Sequence, residues 1–237
     1  MASLALDIET ASPFDTPGGD DFDDTRYFEL VVVALGYRAG PSARPETTVL
    51  LRRGGWDNAH TADLLGRTLA WCEGREVDRL LTYNGEGFDM VHLQTWAHQC
   101  DPLVDANLVE RFTDLAAHHE DLKHPATERH RERLPGRASF HKLERLCRWE
   151  GIDVVETRYD DYDLNRDFLR GVGVPEHDAV VEGTHVGQGL GAAYVEGVAA
   201  GLDDRLTYRE LGRLLTDYAG ADVAVLFELA DALGVTD

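Results

Sequence analysis

Seven residues near the start of the chain, Leu4-Ala-Leu-Asp-Ile-Glu-Thr10, set two carboxylates into one face of an otherwise apolar strand. Leu4, Leu6 and Ile8 alternate with Ala5, Asp7 and Glu9. That is the period of a β-strand, so the two acids share a face about 7 Å apart along the chain. A strand this apolar is buried, and two like charges on its face repel each other and are costly to desolvate. A bound cation is the usual compensation, and metal is the simplest explanation for the pair.

An acid-x-acid pair alone carries little information here. Asp and Glu make up 44 of 237 residues, so such a pair starts at about one position in thirty by composition, as the solvated run Asp20, Asp21, Asp23, Asp24 illustrates. Two later segments raise Asp7 and Glu9 above that background. In Leu80-Leu-Thr-Tyr-Asn-Gly-Glu-Gly-Phe-Asp-Met-Val-His-Leu93 a short apolar run ends in a glycine-rich turn, and a helix is expected from about Phe88. Asp89 then sits at a helix N-terminus facing the strand ends. In Leu214-Leu-Thr-Asp-Tyr-Ala-Gly-Ala-Asp-Val-Ala-Val-Leu226 the pattern is helical, and Tyr218 and Asp222, four residues apart, lie on one face.

In this order the three segments resemble the three exonuclease motifs of the DEDD superfamily of 3′ to 5′ exonucleases. The first matches D-x-E. The second matches N-x-x-x-[FY]-D through Asn84, Phe88 and Asp89, and the third Y-x-x-x-D, the tyrosine variant. The pattern is similar to that of the proofreading domain of family B DNA polymerases and its stand-alone relatives. The resemblance implies an RNase H-like α/β fold: a mixed five-stranded sheet with a three-strand antiparallel meander and helices on both faces. It implies that Asp7 bridges two divalent ions, Mg²⁺ or Mn²⁺, that Glu9 and Asp222 complete one site, and that Asp89 holds the other. Tyr218 would orient the attacking water, and Thr10, Asn84 and Phe88 would meet the substrate, with Phe88 beside its terminal nucleotide. The implied reaction releases nucleoside 5′-monophosphates from single-stranded 3′ ends of DNA or RNA. Two alternatives stay open: an RNase H-like nucleic-acid-binding module without cleavage activity, and a nuclease of short oligonucleotides. The stretch from Asp89 to Tyr218 is long for the family's minimal domain, so a single domain over 1–237 is expected with insertions at about 118–137 and 156–206.

A net charge of −21 is unusual for a binder of polyanions, which ordinarily draws on Lys and Arg. Lys123 and Lys142 are the only lysines, and acid-rich, lysine-poor chains resemble those of salt-in halophiles. At molar salt the Debye length is about 3 Å, so net repulsion hardly reaches a strand. No apolar run of about 18 residues is present, and an acidic strand stands where a signal peptide needs a basic start. A soluble, cytoplasmic protein without a membrane partner is expected. Cys72, Cys100 and Cys147 are odd in number and widely spaced, against a disulfide framework or zinc-thiolate site. His118, His119, His124 and His130 lack zinc-ligand spacing.

Along the chain, strands are expected at Phe28–Tyr37, Thr47–Arg52, Arg79–Tyr83 and Leu103–Leu108, and helices at Asn58–Glu73 and Met90–His98. His118–Gly136 reads as a polar surface excursion, and Ser139–Trp149 as a helix with Phe140, Leu143, Leu146 and Cys147 inward. Between Arg129 and Arg148 basic residues outnumber acidic ones, a local reversal of the chain's charge. Lys142, Arg145 and Arg148 are therefore the candidate strand-binding face. Gly187, Gly189 and Gly191 read as flexible linkage near a helical stretch at Ala192–Ala200. Thr207-Tyr-Arg-Glu210 has the spacing of a capping box.

Overall fold

The computed structural model describes residues 1–134 and 142–235. The alternating N-terminal segment forms β1 (Ser3–Ala11), and β2 (Glu29–Arg38) and β3 (Glu46–Leu51) complete an antiparallel meander with it. β4 (Arg79–Thr82) joins the other side of β1 in parallel, and β5 (His119–Asp121) adds to β4, also in parallel. The order β3-β2-β1-β4-β5 makes the acid-bearing strand the centre of the sheet.

The strand's alternation sorts its side chains between two cores. Leu4, Leu6 and Ile8 face a core shared with α1 (Asn58–Cys72), α2 (Asp89–Cys100) and α3 (Leu108–Ala116). Ala5 and Ala11 face the other core, filled from α8 (Gly191–Ala199) and the 28-residue α9 (Leu206–Leu233). Asp7 and Glu9 have the parity of Ala5 and so look toward α9. That helix lies close to the sheet because Gly36 leaves room for it. A Cβ at that position would come within 2.7 Å of the Phe227 ring.

The structure departs from the sequence expectations in four places. Leu103–Leu108 is not a strand. Leu103 ends a 3₁₀ turn, and α3 begins at Leu108, whose N–H donates to the Asp101 carboxylate at 2.6 Å. The buried residues Leu108, Phe112 and Leu115 have helical spacing. The fifth strand is instead His119–Asp121, inside the span expected as a polar excursion. There Asp121 and Leu122 are buried and α4 (Lys123–Arg129) follows. No capping box forms at Thr207–Glu210. α9 starts at Leu206 after Arg205, and Glu210 accepts the Asp163 N–H and pairs with Arg213.

The fourth departure is the glycine triplet, which is tightly packed rather than a linker. It follows α6 (Arg166–Gly171) in the chain and continues from α7 (Gly183–His185) as a π-helical turn into α8, and Gly187 O accepts the Ser12 N–H at the end of β1. A Cβ on Gly189 would lie 1.8 Å from the Val172 carbonyl oxygen. α5 (Leu143–Glu150) occupies the C-terminal part of the helix expected at Ser139–Trp149, with Leu146 and Cys147 buried and Leu143 half-buried. Ser139 and Phe140 lie outside the described residues. All three cysteines are buried and free. Among the described residues no helix is long and apolar enough to cross a membrane.

Gly189→Ala is expected to destabilise the protein by about 2–3 kcal/mol, because the added methyl meets a backbone carbonyl that cannot rotate away. A urea midpoint matching wild type would show that this turn yields freely.

Candidate active site

The central strand and the last helix supply most of the site. Asp7 and Glu9 project from β1 toward α9, where Asp222 stands one turn beyond Tyr218. Carboxylate oxygens of Asp7, Glu9 and Asp222 lie within 4.8 Å of one another. Asp89 is the first residue of α2 and is almost fully buried. Its Oδ1 accepts the Ile8 N–H at 3.0 Å, which fastens the helix N-terminus to β1 between the two strand acids.

Burial and mutual repulsion dominate the electrostatics. Desolvation raises the Asp7 carboxyl well above its ordinary range, and Asp89, Glu9 and Asp222 push it further. Glu9 is raised by desolvation, then by Asp222 and Asp89. Desolvation lifts Asp89 to about 7 against the opposing Ile8 N–H, and lifts Asp222 to about 7 with help from Glu144. None of the four has an ion-pair partner among the described residues. An all-oxygen set of crowded, uncompensated carboxylates fits hard divalent cations, which accept such ligands and relieve the repulsion.

The turn carrying Asn84 rests on a residue the sequence pattern did not reveal. Asn84 takes the left-handed conformation, φ 67°, which asparagine tolerates better than most residues. Buried Asp121 holds that turn. Its Oδ1 accepts the N–H groups of Asn84 (2.8 Å) and Lys123 (2.9 Å), and its Oδ2 accepts that of Glu86 (3.1 Å). Gly85 is required beside it, since a Cβ there would lie 2.1 Å from Thr82 Oγ1. Asp121 also gathers with Glu86 and His124, but its oxygens already serve these N–H groups and His124 pairs with Glu86. A three-residue strand is too short for periodicity to announce Asp121.

A cleft of about 850 Å³ opens in front of the carboxylates. Asp7, Asn84, Tyr218 and Asp222 line it, together with Lys142 at the start of α5 and Arg145 and Arg148 within that helix. Those three cations, spaced three residues apart, form no ion pair among the described residues. Residues 152–157 and 180–184 form the lip. A Cβ on Gly183 would lie 3.4 Å from the Tyr218 hydroxyl, so the lip stands directly over the phenol. Burial and then Glu9, Asp222 and Asp7 push the Tyr218 pKa far above its ordinary 10.

Two expected substrate residues are placed elsewhere. Phe88 packs edge-on against Phe28 (5.3 Å) and His92 (4.4 Å) beside the α2 core and does not line the cleft. Thr10 is buried at the irregularity between β1 and β2 and does not line it either.

No protein-family model matches this sequence, and no curated protein does. Solved structures do. The family B DNA polymerase from the hyperthermophilic archaeon Pyrobaculum calidifontis superposes with a TM-score of 0.51 at 18% identity, covering 98% of this chain and 24% of the polymerase. A product-bound exonuclease I gives 0.45 at 14% identity, covering 65% of this chain and 39% of that one. An E. coli exonuclease I in complex with a dT13 oligonucleotide gives 0.43 at 13% identity, covering 92% and 43%. At such identities the polymerase likeness establishes the fold alone, an RNase H-like α/β fold with a mixed five-stranded sheet and helices on both faces. The chain spans about a quarter of the polymerase's length.

The raised carboxyl pKa values carry a sign. Groups that hold protons in the folded state and release them when unfolded stabilise the fold below about pH 4, and that contribution is lost as pH rises through about 7. The metal-free protein is therefore expected to lose melting temperature between about pH 4 and about pH 7. Asp222→Asn should flatten the slope and Mn²⁺ should restore wild-type stability at the alkaline end. Equal slopes in both proteins, with no Mn²⁺ effect, would show that the cluster is not strained.

Proposed function

We propose that this protein is a metal-dependent 3′ to 5′ exonuclease of the DEDD type, tyrosine variant, acting on single-stranded nucleic-acid ends. The observation that carries the reading is the convergence of Asp7, Glu9 and Asp222 within 4.8 Å of one another. Asp7 and Asp222 line a cleft that Lys142, Arg145 and Arg148 also line, and those three side chains form no ion pair among the described residues. The acids would hold the cations, with Asp89 contributing from α2. When bound, a pair of Mg²⁺ or Mn²⁺ ions supplies charge neutralisation in the transition state and acidifies the attacking water.

The chain's own groups have definable tasks in this reaction. Tyr218, its phenol kept protonated by burial and three carboxylates, is a hydrogen-bond donor and not a base. It orients the water that attacks the terminal phosphorus. The bond from phosphorus to the preceding 3′ oxygen breaks, giving a nucleoside 5′-monophosphate and a shortened strand with a 3′ hydroxyl. Lys142, Arg145 and Arg148 meet backbone phosphates, as cations along one face of α5 can. Asn84, which also lines the cleft, meets the terminal nucleotide.

The lip formed by 152–157 and 180–184 supports a second reading, a nuclease of short oligonucleotides. A side-by-side rate comparison of a dinucleotide with a long single strand separates the two, since a closing lip favours the shorter substrate.

The direct test uses 3′-labelled and 5′-labelled oligonucleotides with Mn²⁺ in high-salt buffer. Stepwise shortening of the 5′-labelled strand and immediate release of labelled mononucleotide from the other are expected. Persistent full-length strand across metals and salts would favour a binding module that does not cut. Asp7→Asn and Asp222→Asn should each lower kcat at least about 10³-fold while leaving the fold intact. Tyr218→Phe should lower kcat about 10- to 100-fold with Mn²⁺ binding retained. An unchanged rate would reduce Tyr218 to a packing residue.

A further inference from the structure

Lys123 and Lys142 are the only lysines in the chain, where the remaining fixed cations are arginines. Both stand at the cleft. Lys142 lines it, and Lys123 Nζ donates to Oδ1 of Asn84, another lining residue, at 2.6 Å. An ammonium can only donate, so this bond decides which end of the Asn84 amide faces it. The oxygen is taken, and the NH₂ is the end left for a ligand.

The two residues are also built from one anchor. The same buried Asp121 oxygen accepts the backbone N–H of Asn84 and of Lys123, at 2.8 and 2.9 Å. The left-handed backbone at Asn84 aims its side chain, and half-buried Lys123, first residue of α4, is held to reach it. A compact ammonium suits this single-point contact better than a planar guanidinium fork.

We propose that Lys123 is a positioning residue: it fixes the Asn84 amide so that its N–H groups donate to an acceptor oxygen, phosphate or sugar, of the substrate's terminal nucleotide. The proposal rests on the nuclease reading above. It separates Lys123, which acts through Asn84, from Lys142, Arg145 and Arg148, which act on the strand directly.

A double-variant cycle tests it in the full chain. Readouts are KM and kcat for a single-stranded oligonucleotide in Mn²⁺, and anisotropy of the same labelled strand with Ca²⁺ in place of Mn²⁺. Lys123→Met and Asn84→Ala should each raise KM and Kd about five- to tenfold, with kcat altered less than about threefold. The double variant should be no worse than Asn84→Ala, and Lys123→Arg should recover part of the loss. A strand ending in a 3′-dideoxynucleotide assigns the acceptor: the Asn84→Ala effect disappears if the 3′ oxygen is the partner and persists if phosphate is. If Lys123→Met melts early, Lys123→Leu, which also lacks a donor, replaces it in the cycle. Full additivity of the two variants would overturn the proposal, because Lys123 would then touch the strand itself. A wild-type protein that neither binds nor cuts would remove the nuclease reading and this inference together, a result distinct from additivity in an active enzyme.

Discussion

Repulsion among buried carboxylates is the constraint around which this molecule is arranged. Asp7 and Glu9 are embedded in the central strand of the sheet, and the fold adds Asp222 from α9 and Asp89 from α2. Each addition raises the cost of ionising the others. A protein selected only for stability would place an arginine there, as this one does at Arg38 with Asp231 and Arg67 with Asp63. The strain is tolerated because the surrounding cores hold the elements in place. Leu4, Leu6 and Ile8 are locked on one side of β1, and α9 is seated against Gly36 on the other. A group of like charges held this way is preorganised for cations, since no side chain has to be gathered when they arrive.

The overall charge and the local charge tell different stories. The chain as a whole carries a charge of −21, yet Lys142 at the start of α5 and Arg145 and Arg148 within it line the cleft and form no ion pair among the described residues. Electrostatic interactions in solvent fall off within about a Debye length, so the field inside the cleft is set by those nearby side chains more than by the distant acidic surface. The cleft lining thus carries both carboxylates and cations.

Much of the site was legible in the sequence because its signals are local. Alternation located β1 and the shared face of Asp7 and Glu9, a four-residue interval paired Tyr218 with Asp222, and a glycine-rich turn before an apolar helix located Asn84 and Asp89. Signals shorter than a period failed. Three residues, His119–Asp121, cannot display alternation, whereas Leu103–Leu108 reads as a strand although a helix begins at Leu108, its N–H held by the Asp101 carboxylate. Gly187, Gly189 and Gly191 resembled a linker because composition cannot distinguish absent side chains that give freedom from absent side chains that let backbones touch. Thr207 and Glu210 had capping-box spacing, but Glu210 was claimed by Arg213 and Asp163.

The sequence by itself determined which carboxylates share a face of a strand or a helix, because backbone periodicity fixes side-chain direction within an element. Only the tertiary structure decided that acids from positions 7, 9 and 222 stand together, that Asp89 is fastened to the strand between the first two, that Asp121 anchors the Asn84 turn, and that Phe88 packs into an aromatic cluster. Those outcomes depend on which distant surfaces bury one another, and long-range packing leaves no period in the chain to read.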